Sequence, residues 1–169
     1  LNDNEPKINT SANFSVNEGY YDIGFIGATD DDGDNLEFSI TGADIKIDKD
    51  SGNLTFLIET DYESKDEYIE TVTVSDGTYS ASQAIKVSII NINDSIPVFI
   101  SENEFNVDEN ALCIGTVQAT DPDGDEVTYS VNDANINIGS SSGVLTFLDA
   151  LDYEIVQGAQ VQVFASDGS

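Results

Sequence analysis

The chain contains no Arg, His, Trp or Met, only five Lys, and a single cysteine, Cys113. Each absence closes off a class of function. Phosphate backbones are bound by clustered basic residues, so five Lys against 33 Asp plus Glu, a formal charge of −28, exclude nucleic acid as a partner. A lone cysteine forms no disulfide within the chain, and cysteine usage leaves the redox compartment unassigned. No uncharged apolar run approaches the roughly 20 residues that span a bilayer, which argues against direct membrane insertion. No secretory leader stands at Leu1, and a start inside a motif reads as a fragment of a longer chain. Abundant Asn, Ile and Asp beside the missing Arg read as signs of a bacterial or marine source.

What the chain has is carboxylate, and it repeats. Glu18 and Glu109, Asp30 and Asp121, Asp61 and Asp152, and Asp76 and Asp167 each lie 91 residues apart, as do Asp3 and Asp94, Pro6 and Pro97, and Gly52 and Gly143. One offset throughout means two copies of about 90 residues with no insertion between them, each long enough to bury a modest core. Cys113 falls where the first copy has Asp22, so the thiol has no repeated role and reads as a partly exposed strand residue. A charge of −28 disfavours the compact state through self-repulsion unless cations are held. A merely solvated surface would scatter its acids, whereas these recur beside turns and repeat ends, so specific cation binding is the reading.

The strongest strand signal is Ala84 to Ile92, where Ile85, Val87 and Ile89 alternate with Lys86 and Ser88. The turn Ser75-Asp76-Gly77-Thr78 joins it to a strand at Thr71 to Val74, matched by Val161 to Phe164 before Ser166-Asp167-Gly168. Shorter strands are expected at Ile23 to Ala28, Leu36 to Ile40, Asn53 to Leu57, Ile114 to Ala119, Val127 to Val131 and Val144 to Leu148. No window shows a capped helical period, and acidic or glycine turns recur at the spacing of a sandwich, so the fold class is all-β with about seven strands per copy. The boundary falls at Asn91 to Pro97, where the proline stops the ladder. The second copy has no counterpart of the strand Ala81 to Ile90; a tail removed or disordered is the plainer account, and only if nothing follows Ser169 is an unpaired sheet edge open to another chain expected.

Calcium is a hard cation that takes six to eight oxygens, so several acids must converge from separate parts of a fold. The candidates are Glu18 in Val-Asn-Glu-Gly, Asp61 and Glu63 in Asp-Tyr-Glu, Asn93 with Asp94 in the boundary, Asp121 and Asp123 in Ala-Thr-Asp-Pro-Asp-Gly-Asp, and Asp167 in Ala-Ser-Asp-Gly. In this order, with Thr-Phe-Leu following Ser51-Gly52 and Ser142-Gly143, these strings resemble the cadherin repeat over the full length of both copies. The departures are Asn91 for the first linker Asp, Ser95 for the last linker Asn, and Thr60 before Asp61 where the family has Leu.

The resemblance implies two tandem seven-stranded Greek-key β-sandwiches of Ig-like form, the second without its last strand. It divides the chain into the end of a preceding linker (1–5), repeat one (6–92), a calcium-binding linker (93–96) and repeat two (97–169). Three calcium ions are then expected at the junction. Glu18, Asp61, Glu63 and Asp94 would hold the first two, with Asp123 and the Ile92 carbonyl joining at the second. Asn93, the Ser95 carbonyl, Asp121, Asp123, Asp167 and a carbonyl near Asp125 would hold the third. Asn2, the Asn4 carbonyl, Asp30, Asp32 and Asp76 match the set for one further ion at the N-terminal end, whereas Glu109, Asp152 and Glu154 lack a following linker and are expected to stay empty, weak or hydrated. Seven carboxylates against three divalent ions leave the junction near neutral; empty, each pair about 5 Å apart costs about 3 kcal/mol at an effective dielectric of 20.

The function expected is a calcium-rigidified rod segment of a large cell-surface or adhesion protein, extracellular, with neighbouring repeats as partners. Its rival is a calcium-dependent module with direct homophilic or carbohydrate binding; the Trp-mediated strand exchange known in the family needs a residue this chain lacks. An EF-hand at Asp30 to Asp34 fails because Gly33 stands fourth in the loop and between strands. Paired carboxylates such as Asp61 and Glu63 also serve glycoside hydrolysis, but calcium already accounts for them and the chain is not read as an enzyme. Tyr20, Tyr21, Tyr62, Tyr68 and Tyr153 read as strand and corner packing.

Overall fold

The computed structural model describes residues 2–152, 154 and 158–169. They form two compact units, Leu1–Ile92 and Asn93–Ser169, all-β among the described residues. The first unit carries β1 (Lys7–Ile8), β2 (Asn13–Asn17), β3 (Asp22–Phe25), β4 (Ala28–Thr29), β5 (Glu37–Ile40), β6 (Ile45–Ile47), β7 (Asn53–Phe56), β8 (Glu67–Ser75) and β9 (Ser80–Ile90). One sheet has the order β2-β9-β8-β5 and the other β3-β7-β6, with β1 paired to β4. These nine segments make seven strands, because the first (β1 with β2) and the second (β3 with β4) are each broken.

The break in the second strand has a local cause. Ile26 turns its side chain into the core, 1% exposed, and gives its N–H to the Gly52 carbonyl at 2.9 Å, while the Gly27 N–H is taken by the Thr10 hydroxyl. Two successive donors therefore leave the ladder that a period-two reading extends from Ile23 to Ala28.

The long hairpin β8–β9 pairs from Glu67↔Ser88 to Ser75↔Ser80, and β2 adds to it in parallel, with Phe14 opposite Val87. Alternation decides which face is buried: Ile85, Val87 and Ile89 lie under 5% exposed, and Val72 and Val74 of β8 lie on the same face of the sheet at 0%. Ile23, Ile45, Leu54 and Phe56 close the core from the other sheet, and the Phe56 and Tyr68 rings meet tilted by 58° with centroids 4.9 Å apart. Each such side chain contributes about 1.5–3 kcal/mol of burial.

In the second unit β10 (Val98–Phe99), β11 (Cys113–Thr116), β12 (Ala119–Thr120), β13 (Thr128–Val131), β14 (Ile136–Ile138), β15 (Val144–Phe147) and β16 (Val163–Ser166) repeat the pattern as β11-β15-β14, β13-β16 and β10-β12. No described strand follows β16. Residues 104–108, the counterpart of β2, are not in a strand, and among the described residues the buried cluster of this unit is Val117, Ile136 and Leu145 with half-buried neighbours. Cys113 is exposed at the start of β11.

The tyrosine expectation is corrected in part. Tyr68 is buried and Tyr62 packs against the core, but Tyr20 and Tyr21 are exposed at 61% and 49%. They follow Gly19, whose φ of +75° swings the chain away from the sheet as soon as Glu18 has been buried. Tyr153 lies outside the described residues.

Candidate metal centre

Each unit presents acids in two sets. In the first unit the set at the end of β2 is built on Glu18, an ionisable side chain only 2% exposed. Its two oxygens are held apart by two amides: Oε2 accepts from Tyr62 N–H and Oε1 from Ile92 N–H, both at 2.8 Å. Those bonds tie the end of β2 to the loop before β8 and to the chain leaving β9. One oxygen each from Glu18, Asp61 and Glu63 then lie within 4.8 Å of one another. The Ser64 hydroxyl, at 2.7 Å, and then the Ser64 amide hold the Asp61 carboxyl below the ordinary range even though partial burial opposes this.

The other set of the first unit gathers the N-terminal segment onto the turn after β4. Asp32 Oδ2 accepts the N–H of Asp3 and of Asn4, both at 2.8 Å, and Oδ1 accepts from Asn4 Nδ2 at 2.9 Å, so its carboxyl is pulled down by the Asp3 and Asn4 amides. Asp30 Oδ1 takes the Asp32 N–H at 2.9 Å and the Asp34 N–H at 3.3 Å. Asp76 Oδ1 takes the N–H of Thr78 and Tyr79 at 2.6 Å each, closing the β8–β9 turn. Burial pushes its carboxyl up, but the Tyr79 and Thr78 amides together with Asn2 bring it to a net value below the ordinary range.

The second unit repeats this arrangement from different neighbours. Asp123 Oδ2 accepts the N–H of Asp94 at 3.0 Å and of Ser95 at 2.8 Å, which attaches the linker to this unit. Asp121 Oδ1 takes the Asp123 N–H at 2.9 Å and the Asp125 N–H at 3.4 Å. Asp167 Oδ1 accepts from the Ser169 amide at 3.0 Å and hydroxyl at 2.9 Å, the amide contributing most to a lowered carboxyl.

In these turns one carboxylate oxygen does the folding and its twin is left over. Asp30 Oδ2, Asp76 Oδ2 and Asn2 Oδ1 in the first unit, and Asp121 Oδ2 and Asp167 Oδ2 in the second, are shielded from solvent and accept no hydrogen bond. A shielded anionic oxygen without a partner costs several times what an ordinary hydrogen bond returns. Four carboxylate oxygens and the neutral amide oxygen of Asn2, all hard and shielded, are the donor set that calcium prefers, and the residues fit it.

Of the residues expected from sequence, Glu18, Asp61 and Glu63 are gathered in one set, Asn2, Asn4, Asp30, Asp32 and Asp76 belong to the N-terminal one, and Asp94, Ser95, Asp121, Asp123 and Asp125 form its counterpart in the second unit, with Asn93 just before Asp94 and Asp167 in the turn after β16. Ile92 acts through its N–H. Glu109, Asp152 and Glu154 also bring oxygens within 4.8 Å of one another, but Glu109 is exposed where its counterpart Glu18 is buried. Two side chains escaped sequence reasoning: Asp34, which joins Asp30 and Asp32 within 4.8 Å, and Ser64, which holds Asp61. The alternation Asp30-x-Asp32-x-Asp34 was the available signal for the first.

No protein-family model matches the chain. It is 33% identical over 96% of its length to Cadherin-99C of Drosophila melanogaster, of which it covers 11%, and 32% identical over 84% to Protocadherin-15 of Homo sapiens, of which it covers 8%. Among solved structures, Drosophila N-cadherin EC1-4 matches with a TM-score of 0.80 at 23% identity, over 97% of this chain and 46% of that one, a likeness of fold. The chain thus spans about a tenth of the length of these two curated relatives. They are animal proteins, and neither supports a bacterial source or indicates an enzyme family. Among the described residues, no helix is long and apolar enough to cross a membrane.

Proposed function

The chain belongs to the cadherin family in sequence and in fold, and on that premise we propose that it is two tandem calcium-binding repeats forming a calcium-rigidified rod segment of a large cell-surface adhesion protein, on the extracellular side. The observation that carries this reading is the set of shielded, unpartnered oxygens on Asn2, Asp30, Asp76, Asp121 and Asp167. Such oxygens await a cation.

Glu18, Asp61, Glu63 and Asp94 would hold two ions, with Asp123 and the Ile92 carbonyl shared by the second. Asn93, the Ser95 carbonyl, Asp121, Asp123, a carbonyl near Asp125 and Asp167 would hold a third, and Asn2, the Asn4 carbonyl, Asp30, Asp32 and Asp76 one more. Calcium supplies charge neutralisation, and it fixes segments whose acids otherwise repel. Calorimetric calcium titration with parallel thermal melting tests the reading: heat of binding and a raised melting temperature are expected, both reduced in Asp94→Ala. No heat and unchanged melting refute it.

A second reading, direct homophilic contact, is favoured by the exposed Tyr20, Tyr21, Leu57 and Ile58, which flank the hydrogen bond from Phe56 N–H to the Tyr21 carbonyl. Sedimentation with and without calcium separates the two. A monomer in both conditions eliminates the homophilic version.

A further inference from the structure

We propose that the side-chain carboxylates of Asp34 and Asp125, the fifth residues of the two acidic turns, are cation ligands in their own right. The inference rests on the calcium reading above and goes beyond it, since the resemblance asks only for a backbone carbonyl at this place.

Three observations converge. First, the turns Asp30 to Asp34 and Asp121 to Asp125 are short, with acids at positions one, three and five. The first acid's Oδ1 collects the N–H of the third and fifth residues, at 2.9 and 3.3 Å in one unit and 2.9 and 3.4 Å in the other. That wrapping brings one oxygen from each of the three carboxylates within 4.8 Å of the other two, in both units alike. Second, the first acid's remaining oxygen, Oδ2 of Asp30 and of Asp121, is shielded from solvent and accepts no hydrogen bond. Third, the protein offers little counter-charge. In the first unit Lys7 is committed to Asp31, the second residue of the turn. In the second unit that position is Pro122, and no Lys or Arg occurs anywhere in residues 93–169. Three converging carboxylates with so little basic charge in the same unit leave a hard cation from solution as the compensating charge.

The fifth-position carboxylate changes the chemistry of the shell. With Asp30, Asp32, Asp34 and Asp76 the N-terminal set carries four negative charges where a carbonyl at position five would leave three. Cation affinity in oxygen shells is tuned by the number of charged ligands, so the extra carboxylate favours tight calcium binding and a preference for trivalent lanthanides of similar size.

The test uses the full chain. Calcium and terbium titrations by calorimetry are run on the wild type, Asp34→Asn, Asp125→Asn and Asp31→Asn, while the Gly33 and Gly124 amide resonances report the two turns separately. Asp31→Asn removes the same charge from the same turn but from a side chain facing Lys7. Asp34→Asn is expected to weaken calcium binding about tenfold or more at the step that moves Gly33, with a larger loss for terbium. Asp125→Asn should do the same for Gly124, and Asp31→Asn should change calcium affinity less than about threefold. If Asp34→Asn and Asp125→Asn titrate like Asp31→Asn while the wild type still binds, the inference falls and the calcium reading stands. A wild type that binds neither metal overturns both.

Discussion

Replacing Gly52 by Ala isolates a close approach that both copies of the repeat depend on. Gly52 has φ of +73° and Gly143 has +65°; a Cβ would stand 2.4 Å from the Ile26 carbonyl oxygen in the first case and 2.1 Å from that of Val117 in the second. Ordinary contact begins near 3.4 Å, so about 1 Å must be found. The facing backbone cannot yield it: Ile26 is 1% exposed, and its N–H is bonded to the Gly52 carbonyl at 2.9 Å, as Val117 N–H is to Gly143 at 3.0 Å. The left-handed backbone costs about 1–2 kcal/mol for a residue with a Cβ, of which about 0.4–1 is returned by the stiffer unfolded chain. Breaking the buried hydrogen bond adds about 1–3 kcal/mol, for an expected total of about 3 kcal/mol. Gly77, at φ +93° with nothing within 4 Å of the place a Cβ would take, pays only the backbone part. For a unit of this size about 3 kcal/mol corresponds to a fall in melting temperature of more than about 10 °C. Melting followed by circular dichroism in chelator compares Gly52→Ala, Gly143→Ala and Gly77→Ala. If Gly52→Ala melts within a degree or two of Gly77→Ala, the close-approach argument is wrong.

Three further outcomes are expected. Calcium should raise the melting temperature of the wild type, and Glu63→Ala should blunt that response more than it changes melting in chelator; equal shifts in both conditions would make Glu63 structural only. Asp48, whose carboxyl is lowered first by the Ser51 amide, then by the Ser51 hydroxyl and the Asp50 amide, contributes stability that is present above its unfolded value near 3.8 and is lost as pH falls through its lower folded value. Asp48→Asn should therefore destabilise at pH 7 and converge with wild type in strong acid, read from denaturant titrations at both pH values. Thr60 is 3% exposed with an unpartnered Oγ1, so Thr60→Val removes an unmet polar group at nearly constant shape and should be neutral or stabilising by about 1 kcal/mol; a clear loss would reveal a partner for that hydroxyl.

The hairpin β8–β9 was legible because its alternation is long and unbroken: Ile85, Val87 and Ile89 point inward as their spacing requires. The strands β6 and β14, three residues each, and the two-residue β1 and β10 were not, since a period of two cannot be established over so few positions. The parallel docking of β2 on β9 was hidden for another reason, since its partners lie 73 residues apart in the chain. Tyr20 and Tyr21 were misjudged because an aromatic residue next to a buried strand end is apolar enough for either side of a turn. Only the left-handed Gly19 decides that they face water.

The sequence by itself determined the period of 91, the all-β class, and which acids stand as candidates for calcium, because repetition at a fixed offset separates recurring carboxylates from scattered ones. It did not determine what each carboxylate does. Tertiary structure decided that Glu18 is buried between the amides of Tyr62 and Ile92, that Asp34 closes on Asp30 and Asp32, and that one oxygen of Asp76 folds a turn while the other is kept apart. Those distinctions depend on which backbone amides arrive within about 3 Å of a given oxygen. The turn amides on Asp30 and Asp76 come from the next few residues, but those on Glu18 and Asp32 are supplied by Tyr62, Ile92, Asp3 and Asn4, distant in the chain, and no local pattern encodes their arrival.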